Sequence, residues 1–360
     1  IGYLATLGSH RVASDQALIR QGSDAAVVQG RVMHGESPTT IEVEVFAGRA
    51  NRARLNRGQV RPPEILGTLR AVTFAPEDLE LVRGEPGVRR DFLDSMMIQI
   101  RPCLAGVKTE YDKVLRQRTA LLKAAGAAKR RGGSIDLGSL DVWDIQLARL
   151  GGQLTAARAA SVSGLRPHVE EYYRLVSGGR GVARIDYRAS VSRGVFDLPT
   201  AAEISADDTA SARVEAHEEE LLDPELNEVR FLAALAESRA REIDRGVNLV
   251  GPHRDELVLS LATLPAKGYA SHGESWSYAL ALRLAAWRYL CEDESGEWSL
   301  DGRPVLILDD VFAELDARRR TRLAELVSEA EQVFVTAAVG DDLPEELAGA
   351  RFFVHDGSVE

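Results

Sequence analysis

"PVLILDDVFAELD", residues 304–316, is the stretch whose reading decides the fold. Pro304 to Leu308 is a short apolar run that reads as a strand buried on both faces of a parallel sheet. Asp309 and Asp310 follow where such a strand emerges at the sheet's carboxyl edge. Adjacent carboxylates repel each other unless a cation sits between them, so the pair points to Mg²⁺ and a water to be activated. The other half of such a site is a glycine-rich loop ending in Gly-Lys-Ser/Thr, whose backbone cradles phosphates. The five lysines here are Lys108, Lys113, Lys123, Lys129 and Lys267, and glycine precedes none of them. The first methionine is Met33, and the chain opens on Ile1 in "IGYLATLGSHR".

Composition narrows the class. The 360 residues are 45% hydrophobic and 28% charged, enough to build two packed units. No apolar run approaches the ~20 residues of a membrane span, and no charged-then-apolar leader precedes a cleavage site, so a soluble protein away from membranes is expected. Cys103 and Cys291 lie far apart without metal-like spacing, which fits a reducing cytoplasm. A net charge of −11 argues against a generally sticky nucleic-acid binder but leaves room for local basic surfaces. Two are candidates for phosphate contacts. "RANRARLNRGQVR" carries Arg49, Arg52, Arg54, Arg57 and Arg61 with no acid, and "KVLRQRTALLKAAGAAKRR" (113–131) spreads seven positive charges along a helical pattern. The plainer reading of either run is a solvated face.

Organisation changes twice along the chain. Residues 24–48 alternate as strands, and "LRAVTFAPEDLELV" reads as strand, turn and helix start. From about 95 to 177 the pattern is helical, broken by the loop "AGAAKRRGGSIDLGS"; the strand-like "GVARIDYRA" follows. "AAEISADDTASARVEAHEEELLD" reads as an acidic linker into a helix that opens on Pro224. From "DELVLSL" onward strands and helices alternate again. The expected fold class is α/β: a discontinuous head of residues 1–94 and 246–360, with a mainly helical lid of 95–245 inserted into it.

A second stretch with chemical content is "YASHGESWSYALALRLAAWRYL", residues 269–290. Ser271 and Gly273 precede a strongly apolar helix, whose free N–H groups and dipole suit a phosphate. Ser271 with Glu274 three residues on is equally a plain capping box.

These stretches together resemble the head of an ABC-type ATPase, and most closely the RecF family of DNA replication and repair proteins. The similar segments are "VTFAPEDLELVRGEPGVRRDFLD" (72–94), "NLVGPHRDEL" (248–257), "SHGES" (271–275), "LILDDVFAELD" (306–316) and "VFVTAA" (333–338), in the family's order over nearly the whole chain. "IGYLATLGSHR" is similar to the segment just behind the family's P-loop helix. On that reading the phosphate-binding strand, loop and helix start lie upstream of Ile1, and the chain by itself is expected to be inactive.

The resemblance implies ATP and Mg²⁺ as cofactors. It makes Asp309 the Walker B acid that holds Mg²⁺ through water, and Asp310 the residue that orients or deprotonates the attacking water. Many relatives carry Glu at the second position, so the shorter Asp suits a slow switch. Ser271, Gly273 and Glu274 match the signature turn that meets the nucleotide of the opposite subunit, and Asp316 matches the D-loop. Thr336 stands where transporters carry a switch histidine, and Pro76, Glu77 and Asp78 occupy the Q-loop place without its glutamine. The turn "GPHRDE" (251–256) reads first as structural, although His253 and Arg254 could meet nucleotide, DNA or local acids. The resemblance further implies an ATP-dependent homodimer on gapped or single-strand/double-strand junction DNA, recombinase loading with RecO and RecR, and a place in the SOS response. The alternatives are a nucleotide-controlled structural clamp with little turnover, or another SMC-like head, which the lack of long heptad arms disfavours.

Overall fold

The computed structural model describes residues 1–12, 14–132, 138–293, 302–338, 343–344, 347, 349–355 and 358–359. A one-turn helix α1 (Gly2–Thr6) leads into the strands β1 (Ala25–His34) and β2 (Ser37–Phe46), joined by a two-residue turn in which Gly35 supplies a φ of 56°. β3 (Arg52–Leu55) and β4 (Gly58–Val60) complete an antiparallel sheet in the order β1-β2-β3-β4. Alternation decides its faces: Ile41, Val43 and Val45 of β2 point into a small core with Leu4, Ile65 and Leu69, while Glu42 and Glu44 point away from it.

β5 (Ala71–Phe74) is followed by the short helix α2 (Leu79–Arg83), then α3 (Pro86–Ile100), α4 (Leu104–Arg130) and the 40-residue α5 (Gly138–Ser177). β6 (Ala183–Arg188) precedes α6 (Ala201–Ala206), α7 (Asp208–Leu221) and α8 (Pro224–Arg245). β7 (Glu256–Leu261) and β8 (Leu264–Pro265) pair antiparallel after β6 in a three-stranded sheet. An irregular turn, α9 (Ala266–Tyr269), then enters α10 (His272–Glu292), β9 (Val305–Asp309), α11 (Ala317–Val327) and β10 (Val333–Thr336). β11 (Val354–His355) and β12 (Ser358–Val359) pair antiparallel near the end of the chain.

The stretch 304–316 behaves as its apolar run requires. β9 is the middle strand of a parallel sheet ordered β10-β9-β5, and Ala71 to Phe74 pair with Val305 to Leu308 across the whole helical stretch. Leu306 and Leu308 are fully buried in one continuous core shared with α3, α5, α10 and α11. The mixed α/β class is therefore as read. So is the opening of α8, where Asp223 caps the helix and Pro224 takes its first position. Among the described residues, no helix is long and apolar enough to cross a membrane, and Cys103 and Cys291 are free thiols.

Three expectations are corrected. The supposed acidic linker is helical: Thr200 and Glu203 form a capping box for α6, Asp207 caps α7, and α7 buries Ala210, Val214 and Leu221 on one face. Both carboxylate oxygens of its buried Glu218 accept from Arg166 Nη2, at 2.6 and 2.7 Å. The second basic run is also less of a surface than its charges suggest. Arg118 is fully buried, bonded to Asp144, Asn248 and Glu242. The loop expected over residues 125–139 begins as a continuation of α4 to Arg130 and ends in the first residues of α5, and residues 133–137 lie outside the described residues.

Candidate functional site

β9 delivers Asp309 at the carboxyl edge of the parallel sheet, where the chain must turn away. Three side chains converge on this carboxylate. Thr336, at the end of the neighbouring β10, donates its hydroxyl to Oδ1 at 2.6 Å. Arg11 donates Nε and Nη2 to Oδ2 at 3.0 and 2.6 Å, and His10 Nε2 lies 2.9 Å from the same oxygen. Burial alone would raise the pKa of Asp309, but the bonds from Thr336, Arg11 and His10 outweigh it and hold the group down at about 2. Asp309 is thus a carboxylate throughout the working pH range.

Asp310 takes a left-handed conformation, with φ at 57°. That region strains a non-glycine residue sterically, and two bonds offset it: its N–H reaches the Thr336 hydroxyl at 3.1 Å and the Thr336 carbonyl at 3.3 Å. Thr336 therefore holds both acids, one by its side chain and the next by its backbone. Asp310 remains partly exposed at this edge.

The turn at 271–274 forms the capping box that its sequence allows. Ser271 Oγ accepts the Glu274 N–H at 3.3 Å, and Glu274 Oε2 accepts the Ser271 N–H at 2.8 Å. α10 starts at His272, so Gly273 already lies in its first turn rather than ahead of it. Asp316 caps α11 through the N–H of Arg319 at 2.9 Å and pairs with the same residue's guanidinium at 2.8 Å. That guanidinium lies against Gly273, where an added Cβ would meet Nη2 at 3.0 Å. Arg319 thus joins the turn at Gly273 to the turn at Asp316. The expected residues fall into two groups: Asp309 and Asp310 with Thr336, and Ser271, Gly273 and Glu274 with Asp316. His10, Arg11 and Arg319 are additions that nothing in their local sequence, beyond their charge, marks out.

Magnesium prefers hard, ionised oxygens and keeps much of its own water, so a single well-oriented carboxylate beside bound phosphates is a sufficient protein share. Asp309 has that chemistry. Among the described residues, no group of three or more His, Cys, Asp or Glu converges as a dedicated metal cage.

The remaining candidates are placed as follows. In the Q-loop place, Asp78 is buried; it caps the N–H of Ala75 at 2.9 Å and accepts Arg283 of α10 at 2.6 Å. In "GPHRDE", Arg254 bonds the Asn248 carbonyl at 2.8 Å, and His253 lies between Tyr111 and that carbonyl. Asp255, fully buried, accepts from Tyr187 O–H and the Ser190 N–H, and Arg158 reaches the Pro252 carbonyl at 2.7 Å. The turn is a structural clasp between α4, α5 and β6, which matches the plainer expectation for it. On the antiparallel sheet, Arg49 and Arg52 stack over Phe46 at 3.7 and 5.7 Å, Arg54 pairs with Glu42 and Glu44, and Arg61 pairs with Glu64. Arg57 sits exposed at the tip of the β3–β4 turn with φ at 72°.

A parallel strand ending in paired acids, beside a helix whose capped N-terminus abuts the next turn, defines an α/β head of the ABC-ATPase type. No family model matches the chain. It is 57% identical over 363 residues to the DNA replication and repair protein RecF of Beutenbergia cavernae, covering all of this chain and 88% of that protein. It is 51% identical over 362 residues to the RecF protein of Streptomyces avermitilis, again with 100% and 88% covered. A solved structure described as the recombination mediator protein RecF-ATPrS in the RecFOR pathway superposes with a TM-score of 0.79 at 22% identity, covering 100% of this chain and 86% of that one. The chain belongs to the RecF family of DNA replication and repair proteins.

Proposed function

We propose that this chain is a DNA-repair ATPase that works as a slow, nucleotide-controlled dimer. The observation that carries the reading is the edge of the parallel sheet, where Asp309 is held ionised and Asp310 is fixed beside it by Thr336. Asp309 would hold Mg²⁺ through water, and the metal would supply charge neutralisation on the phosphates of ATP. Asp310 orients or deprotonates water as the partly exposed acid of the pair. Its short side chain and its pinned backbone favour slow turnover, so a clamp that hydrolyses little is the second reading. Ser271, Gly273 and Glu274 present the amino end of α10 to nucleotide held by the other subunit, with Asp316 alongside. In domain terms the head comprises residues 1–94 and 246–360 and the lid 95–245. The dimer acts in the cytoplasm on gapped or junction DNA and loads recombinase with RecO and RecR. This is the setting suggested by the RecF relatives and by the RecFOR pathway named for the solved structure.

Sedimentation with ATP tests this in a form of the protein that carries a Gly-Lys phosphate loop. Ser271→Arg should bind ATP normally as a monomer and fail to dimerise, because the bulky cation blocks the opposing head. Asp310→Asn should bind ATP and persist as a dimer, because hydrolysis no longer releases it. If Ser271 acts only as a helix cap, Ser271→Arg costs about 1 kcal/mol of stability and spares dimerisation. A normal Ser271→Arg dimer therefore overturns the shared site.

A further inference from the structure

At its carboxyl end α5 runs into the sequence Ser177-Gly178-Gly179-Arg180-Gly181. Gly178, Gly179 and Gly181 all take left-handed conformations, with φ of 70°, 81° and 75°. Side chains are disfavoured there, so the loop has a bare backbone floor. It folds over the first turns of α11, and Arg322 of that helix donates Nε to the Leu175 carbonyl at 3.4 Å. Between them lies a cleft of about 480 Å³ lined by Ser177, Gly178, Arg180, Arg318, Arg319 and Arg322, among others.

Its charge is unbalanced. Arg319 is held by Asp316 and Arg322 by Glu325, at 2.8 and 2.9 Å. Arg180 and Arg318 are both exposed, and neither makes an ion pair with any described residue. Four guanidiniums thus face two carboxylates, in a protein whose net charge is −11. The Arg318 guanidinium lies directly on the loop floor, with Nη2 3.2 Å from where a Cβ of Gly178 would stand. Unmatched arginines over a bare glycine floor attract an anion and let it approach closely.

We propose that this cleft binds the phosphate backbone of DNA, at a place distinct from the arginines of β3 and its flanking turns. A linear polyanion fits better than a small one. Arg318 and Arg322 stand one turn apart on the same face of α11, about 6 Å along its axis. Each strand of duplex DNA carries a phosphate about every 3.4 Å along the axis, so about two successive phosphates of one strand fall within that span. Arg319 also touches Gly273 and Asp316, which sets bound DNA beside the proposed shared nucleotide site. That adjacency rests on the reading of the shared site, whereas the cleft itself does not.

The test is a fluorescence-anisotropy titration of a labelled duplex over a salt series, with and without ATP, using a form of the protein that carries a Gly-Lys phosphate loop. Arg180→Glu/Arg318→Glu should weaken binding at least tenfold and lower the salt slope by about 2, at roughly 0.9 for each phosphate that is no longer neutralised. Arg180→Ala/Arg318→Ala should lower the slope in the same direction and leave the melting temperature unchanged, because neither side chain supports the fold. Unchanged affinity and slope in both variants would overturn the proposal. So would a loss of ATP-driven dimerisation without DNA and at unchanged slope, which would assign the cleft to the subunit interface.

Discussion

Acidification should loosen the clasp at His253, by an amount that follows from its surroundings. Nε2 lies 3.4 Å from the Asn248 carbonyl, which can only accept, so Nε2 carries the proton of the neutral ring. Nδ1 then accepts from the Tyr111 hydroxyl at 2.8 Å. Burial lowers the pKa of the ring; the Asn248 carbonyl partly opposes this, and Arg254, Arg90 and Arg118 lower it further, from 6.5 to about 4. The native protein therefore binds fewer protons here than the unfolded chain. The ring's contribution to stability is whole above pH ~6.5 and is lost as pH falls through the window down to ~4. With those two values, the loss between pH 7 and pH 5 is about 2 kcal/mol. Urea unfolding at both pH values, compared between the parent and His253→Asn, measures it. Asn keeps an acceptor for Tyr111 and cannot titrate, so its stability should fall by about 2 kcal/mol less than the parent's over that interval. Other titrating groups, including the buried Asp255, cancel in the comparison. Equal pH dependence in the two proteins would refute a buried, neutral His253.

Arg118→Ala should cost about 3–5 kcal/mol in denaturant unfolding, since it leaves the buried Glu242 with the Leu249 N–H and no cation, and Asp144 with Arg239 alone. Gly164→Ala should destabilise by about 1–3 kcal/mol, because the new methyl would stand 2.3 Å from the Tyr289 ring where α5 crosses α10; adding Tyr289→Leu should recover much of it. Under the proposed binding to DNA, Arg57→Ala should flatten the salt slope more than Arg54→Ala among the arginines near β3, because Glu42 and Glu44 already neutralise Arg54. An equal effect from Arg54→Ala would show that its ion pairs open on binding.

Where sequence reading succeeded, the signal was local. An apolar run ending in two acids, Ser271 with Glu274, and Asp223 with Pro224 each carry their geometry within a few residues. The grip on Asp309 carried no such signal, because His10 and Arg11 reach it across almost the whole chain. α7 was hidden differently: its apolar face is thin and set among acids, so charge outweighed periodicity, although Thr200 and Asp207 had the composition of caps. Arg118 was legible and missed. Tyr111, Val114, Arg118, Leu122 and Ala125 are among the buried positions of α4 and follow one another at steps of three and four, so the arginine lies on the apolar stripe.

α10 is tied to the parallel sheet at several points along its length. Trp276 meets Phe74 of β5 edge-on, with ring centroids 5.7 Å apart. Arg283 reaches Asp78 behind β5 at 2.6 Å, and Trp287 donates to the Pro304 carbonyl just ahead of β9 at 3.3 Å. Tyr278 donates to the Arg184 carbonyl of β6 at 2.7 Å, and Gly164 lets α5 lie close against Tyr289. A helix fixed at both ends and packed along its side cannot shift alone, because close-packed interiors resist continuous deformation. The turn at Ser271 therefore stands at the head of a helix packed into the same core as β9, which carries Asp309 and Asp310. Under the proposed reading, nucleotide brings the two groups together by moving whole heads against each other. That is why dimerisation, rather than a local rearrangement, is the quantity that a substitution at Ser271 should change.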